Sequence, residues 1–160
     1  MRVILAAVGR LKDTGERDLF ERYNTRFNQA GRALSLGPLT LAELTESRAA
    51  EASLRKSDES ARLLKAVSGA GVIIALDETG RSESSAAFAR RLASLRDEGT
   101  GTIAFLIGGP DGHGPDVIAA ARLTLSLGPM TLPHGLARVV LAEQLYRSVT
   151  ILSGHPYHRA

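Results

Sequence analysis

A single α/β domain over residues 1–160, built on a mostly parallel sheet with helices on both faces, is the fold this sequence predicts. Three observations point to it. Val3–Val8, Val72–Leu76 and Thr102–Ile107 are near-continuous apolar runs, the pattern of strands covered on both faces. Stretches with helical spacing alternate with these runs, which implies parallel pairing. Glycine and proline cluster between them: Gly37-Pro38, Ser68–Gly71, Gly99–Gly101, Gly108–Pro115 and Gly128–Gly135.

Each element follows from its local pattern. Val3–Val8 reads as the first strand. Thr14–Ala30 reads as a helix, with Leu19, Tyr23 and Phe27 four residues apart and Glu16, Arg22 and Arg26 on the other side. Ala33–Leu44 alternates apolar and small residues and reads as a second strand, interrupted near Gly37-Pro38. Glu46–Val67 is a charged, alanine-rich helix that stops at Ser68-Gly69-Ala70-Gly71. Val72–Leu76 is a buried strand and Asp77–Arg81 a turn. Ser82 caps a helix to about Asp97, with Phe88, Leu92 and Leu95 inward. Thr102–Ile107 is a strand, Asp116–Ala121 a short helix and Leu123–Leu127 a fifth strand. Leu136–Leu152 is the last helix, and Ser153–Ala160 forms a tail.

Composition narrows the class. Apolar residues make up 44%, so the chain folds rather than remaining disordered. Absence of cysteine removes disulfides, thiolate nucleophiles and cysteine-ligated zinc. The first apolar run is too short for a signal peptide, and no run approaches the ~20 apolar residues of a membrane helix. A soluble, cytoplasmic protein without a membrane partner is therefore expected. Three of the 20 basic residues are lysine, so 17 are arginine. Arginine binds phosphate in a fork and stacks on bases, which suits a nucleic-acid partner, although a GC-rich genome produces the same bias. All four histidines (113, 134, 155 and 158) lie in the last third, where titratable chemistry is expected.

In open parallel sheets ligands bind beyond the carboxyl ends of the strands. Three such ends are unusual here: Leu76-Asp77, the loop Gly108–Gly114 (GGPDGHG), and Gly128–His134 (GPMTLPH). Five of the seven residues in GGPDGHG are Gly or Pro, more than a plain βα turn needs. That loop lacks the third glycine of a dinucleotide fingerprint. No G-K-[ST], G-x-S-x-G or H-E-x-x-H occurs, so phosphate-loop ATPase, serine hydrolase and zincin readings lose their support. In GPMTLPH, main-chain groups between apolar side chains are suited to clasp an adenine and its ribose; the plainer reading is a rigid surface turn. The tail His155-Pro156-Tyr157-His158-Arg159 joins a ring for stacking, cations for phosphate and imidazoles for proton transfer; its plainer reading is a frayed end. No fourth ligand accompanies His134, His155 and His158, so no metal is expected.

These motifs in this order carry a resemblance. FLIGGPDG, then LSL-x-x-MTLPH-x-LARVVLAEQLYR, then HPYHR is similar to the RlmH family, SPOUT-class enzymes that methylate N3 of a pseudouridine in large-subunit (23S) ribosomal RNA. The opening AAVGRLK and VIIALDETG are similar too. The likeness spans nearly the whole chain, weakest over Gly31–Val67 and strongest over Phe105–Arg159. It implies a C-terminal trefoil knot, a topology that physical rules alone would not suggest. It implies S-adenosylmethionine (SAM) as cofactor, on Leu76, Gly109, Gly128, Pro129, Met130, Thr131, Leu132 and Pro133. It implies a homodimer, with the partner's tail completing the RNA site through His155, Tyr157, His158 and Arg159.

The roles expected on that basis are His158 as base or orienter, Arg138 and Arg159 as charge stabilisers, and Tyr157 as a stacking surface. Glu143 is expected to hold Arg147 or an arginine of the other subunit. The chain departs from the family pattern at Asp111, where glutamate is frequent, at Gly135, where proline is common, and at Ala160, where an acid is frequent. A single small domain suggests a structured ribosomal substrate, probed on assembled ribosomes. A non-catalytic RNA- or ribosome-binding module, and a SPOUT enzyme acting on transfer RNA, are the other readings these residues allow.

Overall fold

The structure is a computed structural model that describes residues 1–12 and 15–158. Five strands form one sheet: β1 (Arg2–Val8), β2 (Leu39–Leu44), β3 (Val72–Ser82), β4 (Thr102–Ile107) and β5 (Leu123–Ser126). Their order is β2-β1-β4-β3-β5, and every pairing is parallel. The helices are α1 (Gly15–Gly31), α2 (Ala52–Ala66), α3 (Ser85–Asp97), α4 (Pro115–Ala120) and α5 (His134–Leu152).

Strand side chains alternate between faces, so each apolar run feeds two cores. Val3, Leu5 and Ala7 of β1 join Ile103 and Phe105 of β4 beneath α1, α3 and α5. Phe20, Phe27, Phe88, Leu92, Leu141 and Leu145 fill that layer from the helices. Ala6, Val8, Ala104 and Leu106 face the other way, toward Leu63 and Val67 at α2 and Val117 on α4. That second layer is thin because alanine lines it on three strands, Ala6, Ala75 and Ala104. The expected parallel sheet with helices on both faces is therefore present.

Four boundaries differ from the sequence reading, each for a local reason. Arg32–Leu34 is a 3-10 turn and the strand starts only at Leu39; Ser35 (φ 56°) and Gly37 (φ 99°) take left-handed backbone that cannot join a ladder. Residues 45–51 are a loop rather than the start of α2. Glu59 accepts from Ser47 N–H (2.8 Å), and Arg62 donates to the Thr45 carbonyl (2.8 Å). Ser84, not Ser82, caps α3, its hydroxyl accepting from Ala87 N–H at 3.2 Å. α5 begins at His134 rather than Leu136. Thr14, the expected start of α1, lies outside the described residues.

The largest difference is at Asp77–Arg81, read as a turn but part of the long strand β3. β5 pairs first with Ile74–Leu76, then, after a register shift, with Arg81 and Ser82. The intervening residues bulge across β5, and the two backbones touch at Gly80. A Cβ built on Gly80 would lie 2.8 Å from the main-chain carbons of Thr124 and Leu125. Backbone cannot give way as a flexible side chain can. Gly80→Ala should therefore destabilise the chain by about 1–3 kcal/mol, read as a lowered urea midpoint; an unchanged midpoint would contradict a backbone contact at this crossing.

Candidate active site

Parallel pairing puts the carboxyl ends of β3, β4 and β5 on one rim. A cleft of about 520 Å³ opens there. Leu76, Gly109, Gly128, Met130, Thr131 and Leu132, from three separate loops, all line it. Pro129 faces a neighbouring depression between α3 and α5 instead, and Pro133 stands at the N-cap of α5. The structure thus brings together most residues expected on this rim.

The GGPDG loop is a tight turn clamped from behind by α2. Gly112 N–H donates to the Gly109 carbonyl at 2.9 Å, and Gly112 takes φ 82°. Arg55 grips the Asp111 carboxylate with two donors, Nε at 2.7 Å and Nη2 at 3.2 Å, and also binds the carbonyls of Ala49 and Ala50. This hydrogen-bonded pairing holds the Asp111 carboxyl below its ordinary range. Ser60 Oγ accepts from Gly114 N–H at 2.8 Å. Glu59, 2% exposed, presses its carboxylate on Gly109, where any Cβ would collide with it.

The 127–133 loop is different: its ends are tied down, Gly128 by the Ser126 hydroxyl and Pro133 by Ala137 N–H, but its middle is open. Among the described residues, the main-chain groups of Met130, Thr131 and Leu132 make no internal hydrogen bond. Met130 is 79% exposed. Thr131 Oγ1 donates to Glu78 at 3.0 Å, linking this loop to the far wall. A Cβ at Gly112 or Gly128 would meet nothing within 4 Å, so both glycines leave free space in the cleft they line.

His113 was not singled out as a site residue, yet it forms the floor between two walls. It is 8% exposed, and its Nε2 lies 3.1 Å from the Leu76 carbonyl. That geometry assigns the proton to Nε2. Nδ1 is buried with no partner among the described residues. Burial pushes the imidazole below its ordinary pKa, outweighing the Leu76 carbonyl and Asp77. Asp77 in turn is held low by the hydroxyl and N–H of Thr79. A histidine closing the second glycine turn was the available sequence signal for this position.

Arg138 reaches the same rim but turns inward. It is 1% exposed, with Nη1 on Glu43 at 2.9 Å and Nη2 on the carbonyls of Val8 (2.7 Å) and Gly9 (2.9 Å). Glu43 also accepts from Leu11 N–H at 2.6 Å. Burial lowers the Arg138 pKa, with Glu43 opposing. The expectation of charge stabilisation at the reacting atoms thus meets a guanidinium closed off from the cleft of its own chain.

The tail folds back along α5, away from the cleft. Tyr157 donates its hydroxyl to Glu143 at 3.0 Å, and Glu143 also holds Arg147 Nε at 2.9 Å. The Arg147 guanidinium sits 5.0 Å from the Tyr157 ring centre. Burial, then hydrogen bonds to Tyr23 and Glu143, push the Tyr157 phenol far up, keeping it neutral. His155 Nδ1 accepts from Tyr157 N–H at 3.1 Å, and His158 Nδ1 is buried without a partner among the described residues. Arg159 lies outside the described residues. The expected Glu143–Arg147 pair is formed within one chain.

A family profile described as "Predicted SPOUT methyltransferase" matches residues 1–158. The chain belongs to the SPOUT methyltransferase family. Two similar relatives are named ribosomal RNA large subunit methyltransferase H. One, from Rhizobium leguminosarum bv. trifolii, is 52% identical over 99% of both chains. The other, from Xanthobacter autotrophicus, is 52% identical over 100% of both chains. Among solved structures, a probable methylase family protein from Haemophilus influenzae is similar in fold to this SPOUT chain. It has a TM-score of 0.52 at 13% identity, covering 99% of this chain and 70% of that one.

His113 yields a pH signature. Because its folded pKa lies below the ordinary ~6.5, the unfolded chain takes up a proton that the native chain resists as pH falls. Its contribution to stability is therefore intact above that value and declines below it. His113→Gln retains a donor for Leu76 and removes the titration. The variant's deficit at pH 7.5 should shrink by pH 5.5 in urea unfolding; a deficit that grows toward acid would contradict a neutral, buried imidazole.

Proposed function

We propose that this chain transfers a methyl group from SAM to N3 of a pseudouridine in large-subunit ribosomal RNA, acting on assembled ribosomes as a single-domain homodimer. One observation carries this reading: in a SPOUT chain about half identical to large-subunit methyltransferases, three segments converge on one cleft, one wall of which, Met130–Leu132, keeps its main-chain groups unpaired. The cleft suits the cofactor. Gly112 and Gly128 leave room where side chains would project. The free main-chain groups of Met130–Leu132 offer donors and acceptors of the kind an adenine edge takes; Leu76 and Gly109 line the same cleft, while Pro129 and Pro133 flank the loop outside it.

When bound, SAM supplies a methyl group already activated on a sulfonium. The chain's own residues have three tasks: placing the acceptor nitrogen in line, removing its proton and neutralising the charge that develops. His158, with its unpartnered Nδ1, is assigned as base or orienter. Tyr157, kept neutral, stacks on the target base. His155 and Arg159 hold the RNA, and Arg159 stabilises charge. Arg138 is assigned as a positioning residue that ties the N-terminal part of α5 to the end of β1 through the Val8 and Gly9 carbonyls and to β2 through Glu43, fixing the helix that follows the cofactor loop.

Two features support a homodimer. Within one chain, α5 separates tail and cleft: Tyr157 reaches back only to Glu143, about 13 Å along the axis from His134. A second copy would bring a tail to each cleft. α5 is also apolar around much of its circumference, with Val140 and Ile151 half-buried and Leu136 40% exposed; such helices are normally covered. The trefoil knot belongs to the same proposal. The close approach of β3 and β5 backbones at Gly80 is the observation that supports it. No helix among the described residues is long and apolar enough to cross a membrane.

Labelled SAM and ribosomes lacking the modification test the reading directly. Label should appear in large-subunit RNA, and mass spectrometry should place it on one nucleoside, methylpseudouridine. Label in transfer RNA, or SAM binding without transfer, would refute it.

Removing residues 155–160 should abolish transfer while leaving calorimetric SAM affinity within about twofold. Mixed dimers pairing that truncated chain with a Gly128→Val chain should regain activity. Without such rescue, the tail and cleft act within one chain.

A further inference from the structure

All three tyrosines of the sequence, Tyr23, Tyr146 and Tyr157, gather in one place. Tyr146 bridges the others, with ring centres 6.3 Å from Tyr23 and 4.8 Å from Tyr157. Two guanidiniums flank the rings: Arg147 beside Tyr157 and Arg26 beside Tyr146, the latter 5.8 Å from the ring centre. The cluster joins α1, α5 and the tail, elements that meet only in the tertiary structure.

The two arginines differ in electrostatic state. Arg147 is neutralised by Glu143, at 2.9 Å from its Nε. Arg26 is exposed and makes no ion pair among the described residues; its one recorded interaction is with the Tyr146 ring. A cation–π contact at this distance holds the guanidinium near the ring and leaves its five N–H donors free for a ligand. An exposed, unneutralised arginine held beside a core-packed aromatic cluster presents a positioned cation of the kind that binds a nucleic-acid phosphate.

We propose that Arg26, held beside Tyr146, is a phosphate-binding residue for the ribosomal RNA, extending the RNA-binding surface proposed for the tail onto α1. This rests on the methyltransferase reading above, and it assigns α1 a binding role that the sequence motifs did not indicate. Arg26 acts on the RNA strand, far from the cofactor loops, so its effects should fall on substrate binding alone.

The test uses the full chain with Arg26→Ala and Arg26→Lys. Three quantities are measured: filter binding to ribosomes lacking the modification, steady-state methyl transfer, and calorimetric SAM affinity. For Arg26→Ala we expect KM for ribosomes and their Kd to rise by about tenfold, with kcat within about twofold of wild type. The salt dependence of binding should become shallower by about one phosphate contact. SAM affinity and the thermal midpoint should stay unchanged, and lysine should restore part of the binding. Ribosome Kd and salt slope equal to wild type in Arg26→Ala would overturn the proposal, as would a loss confined to kcat. If wild type binds ribosomes but transfers no methyl, the methyltransferase reading fails while the binding comparison still judges Arg26. If wild type does not bind them, both fail.

Discussion

Parallel pairing of β3 with β4 on one side and β5 on the other is the constraint on which the rest depends. Parallel ladders aim every carboxyl end the same way. Segments far apart in sequence, the bulge of β3 after Leu76 and the loops after Ile107 and Ser126, therefore open on one rim. Antiparallel pairing of any one strand would move its loop to the opposite edge of the sheet and leave the cleft without a wall. The order β4-β3-β5 also places β3 centrally, so its bulged extension, Asp77 to Ser82, can lean over β5 and narrow the cleft from above.

The cleft combines one rigid wall with one open wall, and the difference lies in hydrogen bonding. The turn after β4 is braced from behind: Arg55 binds Asp111, Ser60 accepts from Gly114 N–H just beyond it, and Glu59 packs against Gly109. Ordering this wall before a ligand arrives lowers the cost of binding. The Met130–Leu132 segment keeps its main-chain groups free, and free groups recognise a ligand where satisfied ones cannot. His113 joins the two regimes, its buried ring fixing the Leu76 carbonyl at the edge of the open space. Farther along α5, Glu143 gathers Arg147 and Tyr157, so one helix borders the cleft at its start and carries this polar and aromatic cluster toward its end.

Much of this was legible along the chain. The apolar runs of β1, β3 and β4 and the glycine-rich loop ends are local signals, and they located the three strand-end loops. The errors fell where a distant partner sets local conformation. Asp77–Arg81 reads as a turn because its residues are polar, yet β5 holds it extended. Residues 46–51 read as helix, yet Glu59 and Arg55 capture their backbone as a loop. Arg138 reads as a free cation within a motif, yet the carbonyls at the end of β1 and Glu43 hold it inside.

By itself, the sequence determined the alternation of strands and helices, the two-sided burial of the sheet and the chemistry of the rim, since periodicity and turn residues act over a few neighbours. Which loops face each other, which arginines are neutralised and where the three tyrosines meet were decided only by tertiary structure. Those properties depend on pairs such as Arg55–Asp111, Glu43–Arg138 and Tyr23–Tyr146. Their members are brought together by the common burial of apolar faces, and no local pattern records that proximity.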